Sequence, residues 1–427
     1  MALTQLSNPQ PVMAPGSATT RTALATVTSL FFVWGFVTAL NDILIPHLKS
    51  IFDLNYARAS LIQSAFFLAY FLFSIPAAKL IDGVGYKHAM VTGIFVMGAG
   101  AFLFLPAAIV PSYNLFLAAL VILAGGITVL QVAANPYVAV LGPPRTASSR
   151  LNLAQAFNSL GTTIAPLLGG YLILHTAAKG TDALHTLPAT LQDYRVHEAA
   201  SVKVPYLVIG LALVALGILI STFKLPPIPG AERHKGEAAG GLWRYRQLVF
   251  GVVGIFLYVG AEVSIGSFLI NYFAQANIGN VTESTASRYL AVYWACAMIG
   301  RFLGSAILRK LRTGTLLALA ALSACFLVCV SMLASGHLAM GSIILVGLFN
   351  SVMFPSIFTL GIAELGPLTG DGSGLLIMAI VGGAAVPLAV GLLADRIGLQ
   401  HALILPAICY LYILYYALKG SKPSVLA

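Results

Sequence analysis

Residues 22–46 read TALATVTSLFFVWGFVTALNDILIP. A run of about 25 mostly apolar residues can cross the bilayer hydrocarbon, about 30 Å thick, as one helix. Near its end the adjacent polar pair Asn41 and Asp42 interrupts it, and the apolar pattern resumes through Ile45. An ionised carboxylate at bilayer depth is expensive, so such a group ordinarily faces a water-filled path rather than lipid. The alternative is a solvated acid at the outer interface, and the continuation through Ile45 favours the cavity position. The chain holds 13 Asp and Glu in 427 residues. Of these, only Glu262 also falls inside an apolar run; the others lie in loops or at span ends. Two intramembrane acids predict a chain that moves something across the bilayer rather than a passive scaffold.

Composition agrees. Hydrophobic residues make up 59% of the chain and charged residues 8%. A soluble domain carries about 25% charged residues, so a globular cytosolic protein is excluded. The net charge of +10 is spread over short loops between apolar runs, which leaves no basic stripe for nucleic acid. Cys296, Cys325, Cys329 and Cys409 all lie in apolar runs, where no disulfide framework is expected. Cys325 and Cys329 share a helix face, but no His or third Cys accompanies them, and no metal site or cofactor is predicted. No phosphate-binding loop suggests ATP-driven pumping, and no nucleophile or metal constellation at depth suggests a membrane-embedded enzyme. The first 20 residues lack a basic n-region and a small-residue cleavage site, so the first run is expected to be an uncleaved span.

Twelve candidate spans follow, at 22–46, 58–81, 87–107, 113–141, 150–174, 203–223, 246–274, 285–308, 313–335, 338–363, 373–394 and 400–418. They are called spans 1 to 12. The expected class is an all-α membrane protein of twelve helices in two pseudo-symmetric six-helix halves. Its parts are a tail at 1–21, a bundle at 22–223, a Pro-, Gly- and charge-rich linker at 224–245, a bundle at 246–418 and a tail at 419–427. A second polar segment lies at 175–203. With both termini cytoplasmic, the inner segments hold 15 Lys and Arg and the outer segments 7, and Arg301 lies within span 8. That bias fits the positive-inside rule and supports the count of twelve. A faint repeat relates the halves. Gly161, Pro166 and Gly170 of span 5 recur as Gly382, Pro387 and Gly391 of span 11, at a constant offset of 221. Pro136 and Gly142 of span 4 recur as Pro355 and Gly361 of span 10, at an offset of 219. Duplicated halves with a site between them describe a rocker-type secondary transporter.

Polar side chains at depth mark the candidate site. Gln131 and Asn135 stand one turn apart on span 4, hence on one face. On span 5, Asn152, Gln155, Asn158 and Ser159 fall within an arc of roughly 120°. Neutral amides both donate and accept, which suits a polyhydroxylated neutral ligand better than an ion. Helix-to-helix hydrogen bonding is the competing role, above all for Asn152. Span 7 places Glu262, Ser264, Ser267 and Asn271, and span 10 places Asn350 and Ser351. Trp34 and Trp294 could each stack on the apolar face of a sugar ring, or serve packing alone.

The strings L-N-D-I-L-I-P (40–46), L-I-Q-S-A-F (61–66), A-A-N-P-Y-V (133–138), V-L-G-P-P (140–144), R-L-N-L-A-Q-A-F-N-S (150–159), G-A-E-V-S-I-G-S (260–267) and F-N-S-V-M-F-P-S-I-F-T-L-G (349–361) cover nearly the whole chain. Together they resemble the fucose–glucose–galactose–proton symporters of the major facilitator superfamily. The loop after span 2, A-A-K-L-I-D-G-V-G-Y-K with Asp82, Gly85 and Lys87, resembles that superfamily's cytoplasmic signature, with Ala78 in place of its first Gly. A closer match, G-L-L-A-D-R-I-G at 391–398, falls on the outer side by the span count and is read as a decoy.

The resemblance implies proton-coupled sugar uptake across a bacterial inner membrane, by a monomer whose partners are the sugar, the proton and the lipid bilayer. It points to Asp42 as the titrating residue. One departure matters: the L-fucose permeases carry a second Glu in span 4, where this chain has Gln131, and Gln where this chain has Glu262. That arrangement resembles the glucose/galactose branch, with N-acetylglucosamine carriers similar to it. Glu262 is then either a second proton site or an acceptor for sugar hydroxyls. The expected sugar set is Trp34, Asn41, Gln131, Asn135, Gln155, Asn158, Glu262, Asn271, Trp294 and Asn350. Asp82, Lys87 and Arg301 are the expected conformational gating residues. L-fucose or N-acetylglucosamine symport and uncoupled sugar diffusion remain as alternatives.

Overall fold

In lipid a span must satisfy its own backbone hydrogen bonds, so isolated apolar runs fold as helices. The computed structural model describes residues 18–52, 56–110, 112–183, 202–227 and 241–423, and within them the side chains of all but 18–19, 41–51, 56–61, 63 and 166–183. Most of the linker, 228–240, and the polar segment at 184–201 lie outside these residues. The elements among the described residues are all helices, with no strand among them.

Ten helices among the described residues are long and apolar enough to cross a membrane. One of them, Ser64–Ile109, is 46 residues long. At 1.5 Å per residue that is about 70 Å, twice the hydrocarbon thickness. It bends where Gly85 takes φ 77° and ψ 167°, so spans 2 and 3 are two crossings joined by a glycine hinge. Span 5 is the separate helix Ala147–Ala183. The described helices are thus consistent with twelve crossings.

Two spans are broken, one of them where proline removes a backbone donor. Span 10 divides into Gly336–Asn350 and Met353–Gly361; Pro355 cannot donate to the Ser351 carbonyl, and the break falls there. Span 11 runs as Thr369–Met378, a 3₁₀ turn Ala379–Val381, and Gly382–Ile397, which contains Pro387.

Glycines set the closest helix approaches. A Cβ on Gly161 would collide with the Phe32 carbonyl of span 1, and a Cβ on Gly382 with the Phe256 carbonyl of span 7. The repeat read in the sequence is therefore a repeat of contact: span 5 packs on span 1 as span 11 packs on span 7, each through one glycine on one carbonyl. Pro166 and Gly170 lie outside the described side chains.

Long-range hydrogen bonds sort the loops into two ends. Lys87 Nζ donates to Ser221 O at 2.7 Å, Tyr137 Oη to Pro226 O at 2.9 Å, and Ser148 Oγ lies 2.8 Å from Thr313 Oγ1. These join the 2–3, 4–5, 6–7 and 8–9 connections at one end, which carries most of the Lys and Arg. At the other end Asn277 Nδ2 donates to Gln400 Oε1 at 2.8 Å, and Gln400 Nε2 to Ala334 O at 2.7 Å. The 391–398 string ends there, opposite the 2–3 loop, as the count of spans placed it.

Between the two sets of spans, contacts run from the basic-loop end to mid-membrane. Gly370, opening span 11, lies against Asp82 and Tyr86, and Gly374 lies against Ala78 and Ser74. Ser373 Oγ donates to Val132 O at 2.8 Å. Spans 5 and 8 are zipped by a reciprocal pair, Ser149 Oγ to Ser305 O at 2.7 Å and Ser305 Oγ to Ser149 O at 3.0 Å.

Candidate functional site

Span 4 supplies the first part of the site. Gln131 Nε2 donates to Tyr70 Oη of span 2 at 2.7 Å. One turn on, Asn135 Nδ2 donates to the Gln131 carbonyl at 3.0 Å, and its Oδ1 accepts from Gln155 Nε2 of span 5 at 3.3 Å. All three amides are buried. Buried polar groups need partners, and here the partners are one another, which fixes their orientation.

Span 5 then crosses to the other set of spans. Arg301 of span 8 donates through Nη1 to Ser159 Oγ and to the Gln155 carbonyl. Its Nη2 lies 4.0 Å from Glu262 Oε1 of span 7. The two charges neutralise each other, as intramembrane charges generally must. Tyr258 interacts with the same carboxylate, and its hydroxyl donates to the Asn350 carbonyl at 3.1 Å. Asn350 Nδ2 donates to Tyr293 Oη at 3.0 Å. A polar chain thus runs through Tyr70, Gln131, Asn135, Gln155, Arg301, Glu262, Tyr258, Asn350 and Tyr293, across the junction of the two sets.

Several candidates sit apart from this chain. Asn158 Nδ2 donates to Phe31 O at 3.0 Å and holds span 5 on span 1. Asn152 Nδ2 donates to the Arg301 carbonyl at 2.8 Å, the interhelical role the sequence favoured for it. Trp34 is 5% exposed and packs on Phe31 with ring centroids 4.6 Å apart. Trp294 is 42% exposed, and Gly266 of span 7 leaves room for its ring. Asn271 is exposed. Asp82 and Lys87 belong to the basic-loop end, and Lys87 reaches the last turn of span 6, where a cation complements the helix dipole. Asn41 and Asp42 lie on the span 1 helix, with their side chains outside the described residues.

Sequence reasoning missed Tyr70, Tyr258, Tyr293 and Thr38. Tyrosines in apolar runs read as packing, and only their hydroxyl partners give them away. Thr38 stands one turn before position 42, on the same helix face, and its buried hydroxyl has no hydrogen-bond partner among the described residues. Arg301, expected to gate, is also the partner of Glu262.

The sequence profile of the Major Facilitator Superfamily matches residues 23–386. The chain is 50% identical over 401 residues to a glucose/galactose transporter of Brucella abortus biovar 1, strain 9-941, with 94% of each chain covered. The crystal structure of the E. coli fucose:proton symporter, FucP, superposes with a TM-score of 0.85 at 36% identity, over 93% of this chain and 98% of that one. A crystal structure of FucP in the outward conformation gives 0.84 at 37% identity, over 92% of this chain and 97% of that one.

Proposed function

The chain belongs to the Major Facilitator Superfamily, and from that premise we propose that it imports a neutral hexose of the glucose/galactose type by proton symport. The polar chain from Tyr70 to Tyr293, which bridges the two sets of spans, carries this reading. It offers neutral amides beside a self-cancelling ion pair, a surface matched to a ligand with many hydroxyls and no charge. The name of the Brucella relative supports the hexose, and the fucose:proton symporter supports coupling to protons. Gln131 in span 4 with Glu262 in span 7 favours glucose or galactose over L-fucose.

Two six-helix halves, 22–223 and 246–418, rock about this site while the segment 224–245 tethers them. The protein lies in the bacterial inner membrane as a monomer, with both termini and the basic-loop end in the cytoplasm. Contacts between the halves at the basic-loop end close that side, which supports reading this state as the outward-facing one. In it Asp42 takes a proton from outside, and the sugar settles on Gln131, Asn135, Gln155 and Glu262. Burial disfavours a charged carboxylate, so closure of the outer side holds the proton on Asp42. The zipper of spans 5 and 8 then parts, sugar and proton leave inward, and the empty carrier returns.

Uptake into proteoliposomes under an imposed pH difference tests the scheme. Wild type should accumulate glucose or galactose above the outside concentration, and Asp42→Asn should only equilibrate it. Accumulation by Asp42→Asn would remove Asp42 from the coupling role.

A further inference from the structure

Arg301 and Glu262 face each other in the middle of the site and stop short of touching. Their 4.0 Å separation exceeds a charge-assisted hydrogen bond by about 1 Å. Glu262 Oε1 and Arg301 Nε are both buried without a hydrogen-bond partner among the described residues. An unsatisfied buried atom on a charged group is rare in a native structure and calls for a reason.

The gap is built into the packing. One arm of the guanidinium is held by Ser159 Oγ and the Gln155 carbonyl, and the backbone of Arg301 is held by Asn152. The carboxylate stands on the turn of span 7 where Ser264 Oγ bonds back to Gly260 O at 2.6 Å, with Tyr258 beside it. Arg301 does not close the distance without giving up the partners its other arm has already made.

A hydroxyl oxygen about 2.9 Å from the nitrogen and about 2.7 Å from the carboxylate oxygen bridges such a gap at an angle near 90°, both lengths being ordinary. A hydroxyl accepts and donates at once. A carboxylate would lack the proton for Glu262, an ammonium would lack the acceptor for Arg301, and a methyl would satisfy neither. We infer that Arg301 and Glu262 hold one hydroxyl of the sugar between them, with Arg301 donating to it and Glu262 accepting from it.

This rests on the sugar-transport reading and adds a substrate contact for Arg301. The bound hydroxyl becomes the middle link from span 7 through Arg301 to span 5, so occupancy of the site and the contact between the halves share one side chain.

The test is equilibrium binding of glucose, galactose and their 2-, 3-, 4- and 6-deoxy analogues to purified full-length protein. On the unmutated protein one deoxy position should bind about 10- to 100-fold more weakly, the range for a hydrogen bond to charged groups. In Glu262→Gln and Arg301→Lys the parent hexose should fall toward that analogue, whose own affinity should change less than about threefold. Four analogues within about threefold of the parent would overturn the bridge, and that arm needs no variant to fold. Equal losses for parent and critical analogue in the variants would overturn it too, as expected for a gap that holds only water. Binding of no hexose at all would sink the sugar reading itself, whereas hexose binding without positional coupling sinks the bridge alone.

Discussion

Removing the reciprocal serine pair between spans 5 and 8 should unbalance the carrier toward its inward-facing state. Ser149 and Ser305 each donate to the other's carbonyl, at 2.7 and 3.0 Å, and both are buried. When the basic-loop end opens, these hydroxyls exchange protein partners for water, so each bond contributes only its net worth, about 0.5–1.5 kcal/mol. Taken at about 1 kcal/mol each, Ser149→Ala with Ser305→Ala removes about 2 kcal/mol from the closed state, a factor of about 30. An outward-to-inward ratio of about 100:1 would become about 3:1, and the inward fraction would rise from about 1% to about a quarter. Spin labels on Arg145→Cys and Lys310→Cys, both exposed at the basic-loop end, report that fraction as a second, longer distance when the native cysteines are replaced. A distribution that moves by less than about threefold would refute the reasoning. The closed state would then rest on the Ser148, Thr313 and Thr359 hydroxyls, where Ser148 Oγ meets Thr359 Oγ1 at 2.6 Å, or on the packing of spans 2 and 11.

Glu262→Gln should weaken hexose binding while leaving the proton-to-sugar ratio unchanged, as read by a pH electrode during uptake; a changed ratio would make Glu262 a coupling acid. Tyr70→Phe strips Gln131 Nε2 of its acceptor, and an unsatisfied buried donor costs about 1–3 kcal/mol. Hexose affinity should therefore fall by about tenfold or more in a binding titration, and an unchanged value would mean that Tyr70 does not orient the amide. Gly382→Ala forces a methyl against the Phe256 carbonyl, and overpacking of that kind costs about 1–3 kcal/mol. Its melting midpoint should drop, whereas Gly83→Ala, which meets nothing within 4 Å, should melt at or slightly above the wild-type temperature.

Much of the fold was legible because a bilayer allows few solutions. An apolar run of the right length must be a helix, so the limits of span 7 read from sequence, 246–274, coincide with the helix Arg246–Ala274. The join of spans 2 and 3 was less visible: two glycines, Gly83 and Gly85, stand in the loop, and it is Gly85 that takes positive φ. The site was half legible. Gln131, Asn135, Gln155 and Glu262 stand out because amides and acids are costly at depth. Which of them face the site and which tie helices together depends on neighbours far away in sequence. Helical spacing alone cannot separate Gln155, which meets Asn135, from Asn158, which holds the Phe31 carbonyl. Tyr70, Tyr258 and Tyr293 escaped for the converse reason, since their rings suit an apolar run and only the hydroxyl joins the polar chain.

Charge balance ties these observations together. Arg301 is the one Lys or Arg that the sequence places within a span, and a lone guanidinium there would be expensive. Glu262 offsets it from the neighbouring helix of the same half, so the pair can travel through a rocking motion without being pulled apart. Had the partner carboxylate stood across the moving junction, each cycle would have had to break an ion pair in a medium of low dielectric. As it is, the groups that Arg301 meets across the junction carry no countercharge, namely Ser159 Oγ and the Gln155 carbonyl, and Ser149 meets Ser305 below. Parting them costs hydrogen bonds of modest net strength rather than the separation of full charges. In the proposed scheme that leaves Asp42 as the group whose proton decides the net charge of the site. The placement of Glu262 on the same half as Arg301 thus separates the residues that balance charge from those that move apart in the proposed cycle.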